Sequence, residues 1–130
     1  MALAAHRRID VAACGLSAAC LAHCLALPVA ASLLPMLGPV ADAEWIHWLF
    51  VVSAAPLAIV AFARRGTSTL LRLLAIAGVL LLIAGAAGVP DHDWETSLSV
   101  AGALCLAGAH TLNALKTTRR GRSHPAAASL

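Results

Sequence analysis

Two cysteines and a histidine stand together in an apolar stretch of this chain, as Cys20-Leu-Ala-His23-Cys24. On a helix, Cys20 and Cys24 are at i and i+4, so their side chains are surface neighbours one turn apart. His23 lies three residues after Cys20 and flanks the pair. Thiolates are soft donors that select soft ions such as Cu(I) and zinc, and imidazole suits several of the same ions. Cys20, Cys24 and His23 are therefore a candidate soft-metal site. Pro28 follows four residues after Cys24. A proline has no N–H, so the Cys24 carbonyl loses its helical partner and the helix is expected to loosen there. The same residues also fit a plainer role, because free cysteine behaves as a small buried hydrophobe. A disulfide within one helix at this spacing would be strained.

Other polar residues fall at related depths. Asp10, Cys14, Ser17, Cys24 and Pro28 share one face of the first helix at 100° per residue, with Cys20 at its margin. In the last apolar stretch, Gly102, Cys105, Ala109 and Asn113 form a stripe of small and polar residues suited to close helix packing. At a rise of about 1.5 Å per residue, Cys20 and Cys105 lie roughly 15 Å from the inner end of their helices, and Cys14 and His110 about 6–8 Å. Cys14, Cys105 and His110 are thus secondary ligand candidates on the inner side, and His47 is a candidate for outer capture. The plainer reading of His110 and Asn113 is a hydrogen-bonded pair near a helix end, and that of His47 an interfacial histidine. His92, between Asp91 and Asp93, reads as an exposed turn.

These residues need elements to hold them, and the charge pattern supplies four. No charged residue occurs between Asp10 and Asp42, from Trp45 to Ala63, between Arg72 and Asp91, or between Glu95 and Lys116. A helix crossing the hydrocarbon core needs about 20 apolar residues. The chain has 130 residues, 61% hydrophobic and only 12% charged, which excludes disorder and argues against a soluble globule. The expected architecture is all-α: four antiparallel membrane-spanning helices at about 10–34, 45–63, 70–89 and 96–115. Pro35, Gly38, Pro39, Gly66, Gly88 and Pro90 mark the short connections. Residues 1–118 form the expected membrane domain, and 119–130 a basic, then Ala/Ser-rich tail. All nine Lys and Arg residues fall on one side of these spans. The positive-inside rule then puts both termini in the cytoplasm, with the protein in the inner (plasma) membrane. A cleaved signal peptide ending near Val29-Ala30-Ala31 is the weaker reading, since the apolar run exceeds an ordinary signal core.

No enzyme is expected. The chain has no H-E-x-x-H, G-x-S-x-G or P-loop, and no C-x-x-C-H for covalent haem. A haem held between His47 and His110 is disfavoured, because the two belong near opposite membrane faces.

With these residues in view, the chain resembles the MerC family of mercury-resistance membrane proteins. The likeness is carried by Ser17-Ala-Ala-Cys20-Leu-Ala-His23-Cys24-Leu-Ala-Leu-Pro28, by Trp45-Ile-His47-Trp48-Leu49 with Pro56, and by Ala109-His110-Thr-Leu-Asn113. The resemblance implies a four-span inner-membrane protein that moves Hg(II) to the cytoplasm through a first-span cysteine pair, here Cys20 and Cys24. Hg(II) or another soft ion would be cargo, and no cofactor would be required. The cysteines are spaced C-x₃-C with His23 between them, and the segment 116–130 has no cysteine to take the ion onward. The expected partners are the lipid bilayer and the heavy-metal ion, not nucleic acid. A second copy of the chain or a cytoplasmic metal acceptor stays open. The rival reading is a non-transporting structural or assembly subunit whose cysteines only pack the core.

Overall fold

The computed structural model describes residues 2–41, 43–63 and 67–122, with side chains from 8 to 40, 43 to 63 and 67 to 117. Of the basic residues used for orientation, the side chains of Arg7, Arg64, Arg65, Arg119, Arg120 and Arg122 lie outside that set.

The described residues are all-helical. Helix α1 (Ala2–Leu21) runs into a π-helical turn (Ala22–Ala26) and on into α2 (Leu27–Leu33), so the first span is one interrupted rod. A 3₁₀ turn (Pro35–Leu37) and the short α3 (Gly38–Ala41) lead to α4 (Glu44–Phe62). Helix α5 (Thr69–Ala86) follows, and a second 3₁₀ turn (His92–Trp94) leads into α6 (Glu95–Arg122). Four stretches are long and apolar enough to cross a membrane: Arg8–Leu33, Glu44–Phe62, Thr69–Ala86 and His92–Thr117. They match the four expected spans to within a few residues at each end. The segment expected as a tail from residue 119 begins inside α6, which stays helical to Arg122.

The helices close into a ring of four, with α1 against α4 and α6, and α5 against the same two. Contacts fix the directions of two pairs. Asp10 meets Asn113, and Cys14 meets Thr111, so α1 and α6 run antiparallel. Gly78 meets Gly102 and Gly85 meets Ser99, so α5 and α6 do the same. Large apolar side chains point outward, among them Leu33, Met36, Val52, Ile59 and Leu70. In water such a surface would aggregate; in a bilayer it meets chains as apolar as itself.

With no hydrophobic force between helices in lipid, close packing depends on small residues. The α5–α6 seam illustrates this. A Cβ on Gly102 would stand 2.7 Å from the Gly78 carbonyl oxygen, and one on Gly78 would stand 2.8 Å from Leu106 Cγ. Backbone therefore lies against backbone, and neither glycine has room for a methyl group. Helix α5 ends on Gly88, whose φ of +61° is the left-handed conformation that favours glycine. The Val89 N–H returns to the Ala84 carbonyl and the Gly88 N–H to that of Gly85, a Schellman ending that satisfies the last carbonyls.

A polar clamp joins α1 to α6. The Asp10 carboxylate accepts from His110 Nδ1 at 2.9 Å and from Asn113 Nδ2 at 3.0 and 3.3 Å. Asp10 is 2% exposed and His110 1%. The expectation that His110 and Asn113 would pair directly is replaced by a geometry in which both donate to one acid. Phe62 of α4 covers the His110 ring, with centroids 4.8 Å apart. On the same side of the bundle, Lys116 Nζ donates to Ser68 Oγ at the start of α5, at 3.4 Å.

Two predictions follow from this packing. Gly102→Ala lowers stability in detergent by about 1–3 kcal/mol, the ordinary cost of overpacking. Gly15→Ala and Gly108→Ala, where an added Cβ meets nothing within 4 Å, leave stability unchanged or slightly raised. Thermal unfolding of the purified variants reads the difference. Asp10→Ala leaves the buried His110 and half-buried Asn113 donors unmatched and costs about 1–3 kcal/mol. The double variant Asp10→Ala/His110→Ala costs less than the sum of the singles, with a coupling on the order of 1 kcal/mol, read by a chemical-unfolding double-mutant cycle.

Candidate metal centre

The centre begins with the break in the first span. Pro28 leaves the Cys24 carbonyl without a helical N–H, and just there the helix widens into the π turn Ala22–Ala26. The Leu27 N–H reaches back to the Ala22 carbonyl, five residues away instead of four. π turns of this length inside α-helices occur frequently at functional sites. This one carries both His23 and Cys24, and it turns them toward α4.

Three side chains converge there. Cys24 Sγ lies 3.7 Å from His47 Nε2, across the α1–α4 interface. The rings of His23 and His47 meet edge to face with centroids 5.2 Å apart, and Phe50 closes the other side of His23 at 5.9 Å. One ligand atom from each of His23, Cys24 and His47 falls within 4.8 Å of the others. Cys24 is 4% exposed, and the Cys20 thiol, 2% exposed, interacts with it one turn below.

The ring nitrogens of the two histidines have different partners. His23 Nε2 donates to the Val40 carbonyl at 3.3 Å, so that nitrogen carries the proton. His23 Nδ1 is then a bare lone pair, buried and without a hydrogen-bond partner. His47 has the reverse arrangement. Its Nε2 faces the thiol, while its Nδ1 lies 2.9 Å from Glu95 Oε1 at the start of α6. A metal-ligating histidine usually gives its other ring N–H to a carboxylate or a backbone carbonyl. Both of those partners are present here. A four-coordinate ion with metal–nitrogen distances near 2.0 Å and metal–sulfur distances near 2.3 Å draws ligand atoms to about 3.5 Å apart. The ligand atoms, within 4.8 Å of one another, would have to draw together by about 1 Å to reach that spacing.

The residues singled out in the sequence separate into two groups. Cys24, His23 and His47 are brought together, with Cys20 beside Cys24. His47, expected as an outer capture residue, is a neighbour of the buried thiol itself. Cys14, Cys105 and His110 lie elsewhere. Cys14 is half-buried and contacts Thr111 Oγ1 at 3.5 Å. Cys105 faces α5, where its Cβ would be 3.2 Å from a methyl on Gly78. His110 is held by Asp10. Among the described residues, His23, Cys24 and His47 form the one group spaced to hold a metal ion. Among the described residues, the buried face of the first span is Asp10, Ala13, Ser17, Cys20 and Cys24, and Pro28 is exposed. Cys20 therefore lies within that face, not at its margin.

Sequence reasoning passed over Glu95 and the Val40 carbonyl. Glu95 gave a usable signal: it opens the fourth span at the depth where His47 sits in the second. The carbonyl gave none, since its direction depends on how the loop before α4 folds back. The exposed His92 behaves as expected, except that its Nδ1 stands 3.6 Å from the second Glu95 oxygen.

Comparison with known proteins gives a matching answer. No curated relative and no solved structure matches the chain. The family of MerC mercury resistance proteins matches it over residues 10–115, from the buried aspartate at the start of the first span to the end of the fourth. That range covers most of the chain and takes in every residue of the candidate centre, and the chain belongs to the MerC mercury resistance protein family.

Proposed function

We propose that this multi-pass membrane protein binds Hg(II) at Cys20 and Cys24, with His23 and His47 completing the site, and carries the ion inward. Membership of the family implies a role in mercury resistance, in a family of transporters and not of enzymes. The observation that carries the finer reading is the convergence of a buried thiol, two imidazoles and a π turn on one point of the α1–α4 interface.

The chemistry is ligand exchange. Hg(II) arrives bound to an external thiolate. The Cys24 thiol gives up its proton as sulfur takes the metal, and the departing external thiolate takes up a proton. Cys20, one turn further in, repeats the exchange. Each step replaces one mercury–sulfur bond by another, so no bare ion enters hydrocarbon, where an unpaired charge is costly. His23 and His47 stabilise the intermediate in which one sulfur bond is broken and the next is incomplete. The route inward from Cys20 ends on the basic side of the bundle, in the cytoplasm if the nine Lys and Arg residues obey the positive-inside rule in the inner membrane.

Hg(II) uptake by intact cells tests this reading. Wild type and Cys20→Ser/Cys24→Ser are compared at matched membrane levels. Uptake falls to that of empty cells in the double variant. Cys14→Ser and Cys105→Ser retain binding in detergent. Cys24→Ser weakens binding by more than the roughly 10–100-fold that loss of an outer-shell partner costs. Equal uptake by wild type and double variant would remove the mercury-carrier reading and favour a packing role for the thiols. A reporter joined after Thr117 is active only in the cytoplasm; activity outside would reverse the assigned orientation.

A further inference from the structure

The acid beside His47 is not explained by packing. Glu95 is 22% exposed at its side chain and belongs to the first turn of α6, yet it reaches across to a different helix. One oxygen, Oε1, is 2.9 Å from His47 Nδ1, and the other faces the 84%-exposed His92 at 3.6 Å. The second distance is too long for a hydrogen bond, so His47 is the close partner. Glu44, on the same helix as His47, is exposed.

The backbone of Glu95 is closely packed. At Gly85, a Cβ would stand 3.0 Å from the Glu95 carbonyl oxygen and 2.6 Å from Ser99 Oγ, so α5 holds the first turn of α6 against itself. The carboxylate also sits at the N-terminus of a long helix, where the aligned peptide dipoles favour negative charge. A carboxylate on a closely packed stretch of backbone thus faces one nitrogen of His47 while a thiol faces the other.

We infer that Glu95 is a positioning residue for the metal centre: it holds the proton of His47 on Nδ1 and so leaves the Nε2 lone pair directed at Cys24 and the ion. This rests on the mercury-binding reading of the preceding section. A neutral imidazole has one N–H and one lone pair, and the partner of the first decides where the second points. Without the carboxylate, the proton can move to Nε2, where it blocks ligation. In the metal-free state Oε1 is close to Nδ1 but off the line of a directed hydrogen bond.

Two measurements on the full chain in detergent test this. The first is ¹⁵N NMR of the metal-free protein with labelled histidine. Wild type and Glu95→Gln carry the His47 proton on Nδ1, because a carboxamide oxygen still accepts it, whereas Glu95→Leu and Glu95→Ala lose that preference. The second is Hg(II) affinity in competition with a small thiol. Glu95→Leu and Glu95→Ala weaken it by about 10–100-fold, Glu95→Gln much less, and none of them weakens it further in a His47→Ala background. An unchanged tautomer in Glu95→Leu and Glu95→Ala overturns the inference. So does an equal loss of affinity with and without His47, which would mark Glu95 as merely structural. If instead wild type and Cys20→Ser/Cys24→Ser bind Hg(II) alike, the mercury reading fails, and the tautomer comparison alone still decides the role of Glu95.

Discussion

Inside hydrocarbon a polar group has no water to turn to, and each one must find its partner within the protein or carry the full cost of desolvation. The bundle is arranged around that constraint. At the start of the first membrane-spanning stretch, Asp10 collects the donors of His110 and Asn113. Further along, past the π turn's start, the thiol of Cys24, two imidazoles, the Val40 carbonyl and the Glu95 carboxylate meet on one another. The first span, α4 and α6 supply most of these residues, the segment before α4 adds the Val40 carbonyl, and each group ties the first span to a neighbour. Between them the seams are lined mostly by small or apolar residues, where close approach takes over from polar contact.

The two groups differ in how completely they are satisfied. The Asp10 carboxylate has its donors at short distances and is almost fully enclosed. The opposite group is unfinished: His23 Nδ1 is buried with nothing to accept from, and His47 Nδ1 is near its acid without a directed bond. Unfinished coordination beside a π turn is consistent with the proposed carrier role, in which an ion is taken up and released. A fully satisfied cage would bind too firmly to pass the ion on. The helix can adjust there because Pro28 has already freed the backbone, whereas the α5–α6 seam, closed to a single methyl group, cannot.

Much of this was legible in the residues. Charge-free runs located four spans, because a charge in the bilayer core is too costly to scatter at random. Cys20, His23 and Cys24 declared a soft-donor set by their types and spacing, and Pro28 announced the loosened turn. The pairings between helices were not legible. His47 and Cys24 are 23 positions apart, and their meeting depends on how α1 rotates against α4. His110 and Asn113 looked like partners because they share a helix turn, and the competing acceptor, Asp10, is about a hundred residues away. Glu95 was read with the outer loop because it follows Asp91 and Asp93, although its side chain belongs to the second span's histidine. Periodicity fixes what a helix presents; it does not fix which neighbour receives it.

The central claim is that mercury binds at the first-span thiols beside His47. X-ray absorption at the mercury edge, on purified protein loaded with one equivalent of Hg(II), tests it most directly. The account predicts two sulfur neighbours with a shell of lighter donor atoms. It predicts that the sulfur shell is lost in Cys20→Ser/Cys24→Ser and that the light-atom shell alone changes in His47→Ala. A sulfur shell that survives the double cysteine substitution, and vanishes instead when Cys14 and Cys105 are replaced, would contradict it.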